Sequence, residues 1–476
     1  MADYLLRRLY IGAARARSFL SRPPGRSDQP DELSLSLLSS SDDGELGACQ
    51  RGRRSCTEIT HSLSLSLHRA LALVRPSLVA VAPSFISNIY YPSKPRALHK
   101  TSFLDGLRGY AAFIVAVFHL AGIQPDNVWV NETWGVNERE GMGSNLLQLP
   151  FIRVLFLGVP MVAFFFLISG FVLSYKSLLL IRSGEHERLS ESLVSLIFRR
   201  GLRLFLPSIA GITFEKVVVP CVYSGPPPVS TMMSDVYAQV SALVFCWRWD
   251  KHNADLFTIP IDGHWAVALF MVGLFAAEVE AVIEERRRGQ RQENGSRSAA
   301  RCGPWTSRLQ SALWIAVFLV GLYLAGYPME RAEISPGFRW LLSHTPKVYR
   351  DGDGFILPAK FWCSVSAVLV CAALFRVPTL QRAFTTPVAQ YLGDVSYSVY
   401  LVHHGIQITA GADIKSKVHS WFGADDGQWK RAAVLVVDIV LVMGLTVWVA
   451  DIFWRLVDRP VVRFSRYFDE IVTPKG

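Results

Sequence analysis

The chain has 476 residues, 51% of them hydrophobic and only 18% charged, with a mean hydropathy of +0.27. An average soluble domain carries roughly 25% charged residues, so this composition excludes a string of soluble domains and a chain disordered throughout. Seven Cys in such a length exclude a disulfide-stapled secreted module.

Residues 1–95 are rich in Ser, Leu and Arg, and residues 1–100 hold 14 Lys and Arg against 8 Asp and Glu. The Leu/Ser alternation has no partner strands after it, so the segment reads as a disordered, low-complexity, basic cytosolic tail. The membrane domain is expected over 96–470. Candidate spans follow at 103–122, 154–175, 204–222, 262–283, 309–327, 360–376, 391–411 and 432–456. Most approach the ~20 residues that cross a hydrocarbon core. The predicted fold is all-α, a polytopic transmembrane bundle of about 8–10 spans, because 229–249 and 384–411 read ambiguously.

Loop charge sets the orientation. Loop 123–153 is acidic, with Asp126, Glu132, Glu138 and Glu140, whereas 176–203 and 284–308 are basic. The C-terminal end adds Arg455, Arg459, Arg463 and Arg466. Basic segments on alternate loops put both termini in the cytosol, and the net charge of +10 therefore points to a bilayer rather than to nucleic acid. Two sequons, at Asn131 and Asn294, fall on opposite sides in this topology, and only Asn131 is expected to carry a glycan.

The first span contains Asp105, Arg108 and His119, and ionisable groups inside a span are costly. Arg108 and His119 are eleven residues apart, which on a helix separates them by about 20° around the axis and about 16 Å along it. Asp105 precedes Arg108 by three residues, a spacing that permits an ion pair. A structural reading makes Arg108 a cytosolic anchor and His119 a hydrogen-bonded interior residue; a functional reading points all three into a cavity. Next, "LGVPMVAFFFLISGFVLSYK" contains Ser169-Gly170-Phe171, whose Ser and Gly are small enough for a helix or a substrate to approach closely. In "FRRGLRLFLP", Arg199, Arg200 and Arg203 suit either an inside anchor or phosphate oxygens. His403-His404 has no ligand partner at metal spacing, so no metal site is expected.

These segments together resemble the acyltransferase-3 family of integral-membrane O-acyltransferases. Leu104-Asp105-Gly106-Leu107-Arg108-Gly109 with His119 looks like its opening signature, and Gly158-Val159 through "FFFLISGF" is similar to its second-span motif. "FRRGLRLFLP" matches a basic boundary, residues 392–403 its late Ser-Tyr-x-x-Tyr-Leu-x-His helix, and "VDRPVVRF" (457–464) its closing element. One departure stands in the middle of the chain. Where the family has Leu-Trp-x-x-x-x-Glu, this sequence has Leu256-Phe257 through Asp262, which keeps the acid but shortens it by one methylene.

The resemblance implies transfer of an acyl group, acetyl in the first instance, from acyl-coenzyme A to a hydroxyl of a carbohydrate, lipid or small metabolite. Acyl-coenzyme A is then a donor substrate, and no permanently bound cofactor is implied. His119 is the expected general base, with Arg108 oriented by Asp105. Arg199, Arg200 and Arg203 are expected to hold donor phosphates, and Ser169, Asp262, Tyr397 and His403 to line the acceptor. The competing class is a transporter or scaffold with degenerate acyltransferase motifs, which predicts no donor binding.

Overall fold

A computed structural model describes residues 83–84, 97–122, 129–136, 144–219, 264–293, 304–350, 357–423 and 427–472. Nearly all of them belong to one compact unit, Pro83–Asp469. The expected tail, the ambiguous segment 229–249, Asp262 and Asn294 lie outside the described residues, apart from Pro83 and Ser84.

Ten helices matter for the site. They are α1 (Ser102–Ala121), α2 (Gly158–Arg182), α3 (His186–Thr213), α4 (His264–Glu293), α5 (Pro304–Ala325), α6 (Leu357–Arg376), α7 (Pro387–Ile408), α8 (Ala410–Phe422), α9 (Gln428–Phe453) and α10 (Arg459–Val472). Each expected span overlaps a helix among the described residues. Six helical stretches among the described residues are long and apolar enough to cross a membrane, and those containing α3 and α7 are not among them. These two carry the polar residues of the site, which lowers their hydropathy. The basic stretch 176–203 is not the loop its charge suggests. Helix α2 continues to Arg182 and α3 begins at His186, so Arg199, Arg200 and Arg203 sit within a helix.

Helix α1 is central because it is apolar almost all round. Phe103, Leu104, Leu107, Ala111, Ile114 and Val115 pack into one core with α2, α4 and α6. Ala116, Val117, Leu120 and Ala121 join a second with α7 and α9. Of the spans, α1 is 61% buried inside the protein and α5 only 17%, so polar groups on α1 meet protein where those on α5 would meet lipid.

Helices α1 and α7 cross at glycine. A Cβ at Gly109 would fall inside the backbone of Gly393, and one at Gly393 would come within 2.6 Å of the Asp105 carbonyl oxygen. Hydrogen bonds then fix their register. Gln390 Nε2 donates to Ser102 O at 2.8 Å, and Gln407 Nε2 to Ala116 O at 2.7 Å. Low numbers pair with low and high with high, so the two helices run parallel. Thr386 caps α7, its hydroxyl accepting from Ala389 N at 3.2 Å, with Pro387 in the first turn.

At the far end of α1, Arg153 is fully buried. Its Nη1 donates to Gly326 O at 2.7 Å and its Nη2 to Asn131 O. Burial pulls this guanidinium down to about 9, against opposing pulls from Cys363 and Glu132. Asn131 itself donates from Nδ2 to Gly122 O at 2.6 Å, while its Oδ1 is buried. The sequon expected to carry a glycan is thus folded inward.

The compact unit also reaches back into the expected tail. Ser84 N donates to Asp451 Oδ2 at 3.0 Å, alongside Arg455 Nη2 at 2.9 Å, and Tyr391 Oη donates to Asp451 Oδ1 at 3.1 Å. Asp451 is wholly buried. Removing one partner of such a buried charge costs on the order of 3–5 kcal/mol.

Candidate active site

The glycine crossing places Arg108 against α7. Its Nε donates to Ser396 Oγ at 3.2 Å and its Nη2 to Gly393 O at 3.1 Å, while Asp105 Oδ1 lies 3.4 Å from Nη2. The ion pair expected from the i,i+3 spacing is therefore present, and two further bonds to α7 aim the guanidinium. Nη1 makes no hydrogen bond among the described residues. The motif's glycines and its arginine form one device, because only a side-chain-free crossing lets the guanidinium reach the α7 backbone.

Toward the other end of α1 stands His119, half-buried and without a hydrogen bond among the described residues. Its ring meets that of His403 edge to face, with centroids 5.1 Å apart. His403 lies one turn before Gln407, which ties α7 to α1 at this level. The next residue, His404, has Nδ1 3.4 Å from Glu215 Oε1. Glu215 occupies a π turn, Phe214–Val218, that continues α3, a distortion frequent at functional sites.

Between these levels α3 is fastened to α7 and α10. Tyr397 Oη donates to Leu204 O and shares a hydrogen bond with Ser208 Oγ, both at 2.8 Å. Arg203 Nε lies 3.5 Å from Asp458 Oδ1, and Arg199 Nε 3.5 Å from Asp469 Oδ2, which also accepts from Ser195 Oγ at 2.7 Å. Asp458 is buried in a second π turn, Trp454–Asp458.

Sequence-predicted residues therefore separate into groups. Asp105 and Arg108 come together, and His119 meets His403. Arg199 and Arg203 already have carboxylates, whereas Arg200 meets none among the described residues. The hydroxyl of Tyr397 is engaged with α3. Ser169 is exposed on α2 and does not join the histidines; its neighbour Gly170 instead admits the Phe270 backbone of α4. Sequence reading missed Glu215, Asp469 and Arg153, and gave His404 and Asp458 no part in the site. An intramembrane carboxylate is a detectable signal for Glu215, but its partner is far away in the chain. Among the described residues no group of three or more His, Cys, Asp or Glu side chains is placed to hold a metal ion.

A helical bundle with apolar spans and an arginine–histidine helix at its centre is compatible with an integral-membrane acyltransferase, and comparison with known proteins points the same way. The family described as "Acyltransferase domain" matches residues 101–219, which hold Arg108, His119 and the three arginines of α3. O-acetyltransferase PaAT-1 of Phomopsis amygdali is 26% identical over 78% of this chain and 85% of its own length. Acyltransferase R4 of Phoma sp. (strain ATCC 20986 / MF5453) and acyltransferase clz18 of Cochliobolus lunatus are each 25% identical over 77% of this chain and 95% of theirs. No solved structure matches. The family match and the relatives' names support an O-acyltransferase similar to those of the acyltransferase-3 family.

Proposed function

We propose that the protein moves an acyl group, acetyl in the first instance, from acyl-coenzyme A to a hydroxyl of a carbohydrate, lipid or small metabolite. The carrying observation is the division of α1 into an arginine level and a histidine level about 16 Å apart by helix rise. Coenzyme A has its phosphates at one end and its thioester at the end of a long flexible arm, so two separated levels fit it. Nη1 of Arg108 and the uncompensated Arg200 supply charge for phosphate oxygens. His119, free of hydrogen bonds, takes the acceptor proton as its oxygen attacks the thioester carbon, a contribution of about 10²–10⁴-fold. The name of the Phomopsis relative supports acetyl as the group transferred.

The basic segments put the arginine level and both termini on the cytosolic side. Purified protein incubated with labelled acetyl-coenzyme A and total cell extract should yield a labelled ester. The same incubation with His119→Ala should not. An equal yield from both proteins would overturn the assignment.

A further inference from the structure

His403 offers one lone pair that nothing among the described residues fills. Its Nδ1 lies 2.8 Å from Tyr400 O and 3.2 Å from Val399 O. A carbonyl oxygen only accepts, so Nδ1 carries the hydrogen and Nε2 of the neutral ring is left as an acceptor. The residue is 6% exposed, and Nε2 is buried with no hydrogen-bond partner among the described residues. Buried acceptors are rarely left empty without a reason. The ring beside it is that of His119, standing nearly perpendicular at 81°.

We infer that His403 is a positioning residue for His119: its Nε2 accepts the N–H of the His119 nitrogen turned away from the acceptor hydroxyl. This rests on His119 being the general base. The backbone carbonyl of Tyr400 fixes the His403 tautomer, His403 fixes that of His119, and the remaining His119 nitrogen must then present a lone pair. Such a base oriented by a third group is the recurring logic of activated nucleophiles. At a ring-centroid separation of 5.1 Å the bond is not made, and it is expected to form with the acceptor in place, as catalytic hydrogen bonds often tighten only with substrate bound.

The proton count closes within the reaction. The acceptor O–H breaks and its proton joins His119, a C–O bond forms at the thioester carbon, and the C–S bond breaks. The proton then passes from His119 to the departing thiolate. His403 gains and loses nothing, because the hydrogen it accepts stays on His119. His404 does not compete for this role, since it is 54% exposed and its Nδ1 faces Glu215, which is itself 3.3 Å from Lys216 Nζ.

The test uses the full chain in lipid nanodiscs with labelled acetyl-coenzyme A and total cell extract, read as labelled ester per inserted protein. His403→Phe keeps an aromatic ring and removes the lone pair. It should lower turnover about 10-fold or more, with KM for acetyl-coenzyme A within about twofold. Combined with His119→Ala it should be no slower than His119→Ala alone, because residues acting as a unit are not additive. Should His403→Phe fail to insert, His403→Met carries the same test. Wild-type turnover in either inserted variant, or a defect that multiplies that of His119→Ala, would overturn the inference. An active His119→Ala protein would instead overturn the base assignment, so the two failures are told apart by which single variant stays active.

Discussion

The two ends of α1 are built on opposite principles. At the arginine level and toward the middle of α1 most groups are engaged, Arg108 with Asp105, Ser396 and Gly393, Arg203 with Asp458, Arg199 with Asp469, and Tyr397 with Ser208, leaving Arg108 Nη1 and Arg200 open among the described residues. At the histidine level His119 makes no hydrogen bond among the described residues and His403 keeps a buried lone pair. Satisfied polar networks rigidify and specify a fold. An unsatisfied atom beside the reacting groups is one available to a substrate. The engaged end sets helix register, and the open end inherits its geometry from it.

Breaking the engaged end should have the largest effect. Gly109→Leu places a side chain where the α7 backbone lies, and well-packed interiors do not absorb that volume. Folded, monodisperse protein should be nearly absent by fluorescence-detected size exclusion, whereas the same change at Gly289, where a Cβ meets nothing within 4 Å, should leave yield unaltered. Next comes the open end: His119→Ala should insert normally and lose about 10²-fold or more in turnover, with affinity for acetyl-coenzyme A in equilibrium binding scarcely changed. Equal losses in binding and turnover would erase the distinction between the two levels.

Arg108→Gln tests where they meet. It should raise KM for acetyl-coenzyme A about 10-fold, the scale of one charge-assisted phosphate contact, while lowering thermal stability because α7 loses two bonds. Tyr397→Phe is the mildest change, removing two neutral hydrogen bonds between α3 and α7 worth roughly 0.5–1.5 kcal/mol each. A melting shift of a few degrees without a change in KM would assign Tyr397 to holding helices. A raised acceptor KM would return it to the acceptor site.

Much of this was legible in the sequence because it is local. A span is an unbroken apolar run, and the Asp105–Arg108 pair needs only a spacing of three. The rest was hidden by distance along the chain. Nothing near Arg199 or Arg203 announces that carboxylates more than 250 residues away, at Asp469 and Asp458, will pair with them. The contact between His119 and His403 is of the same kind. The mistaken loop at 176–203 had a readable correction: Leu189, Leu193 and Ile197, with Val194 and Phe198, repeat at helical spacing beneath the charges. Arg153 at the edge of an apolar run reads as an ordinary anchor, and only the carbonyls of Asn131 and Gly326 show it to be a clamp.

The inward fold of Asn131 has a consequence in time. Its amide nitrogen is occupied by Gly122 O and its backbone carbonyl by Arg153, whose other arm holds Gly326. Gly326 ends α5, nearly two hundred residues after the sequon, so this clasp closes only when that part of the chain has been made. In the folded protein the amide nitrogen and the carbonyl of Asn131 are both engaged, although the residue is half-buried. A glycan at Asn131 would therefore mark molecules modified before closure, and its occupancy would act as a clock for how soon α5 arrives.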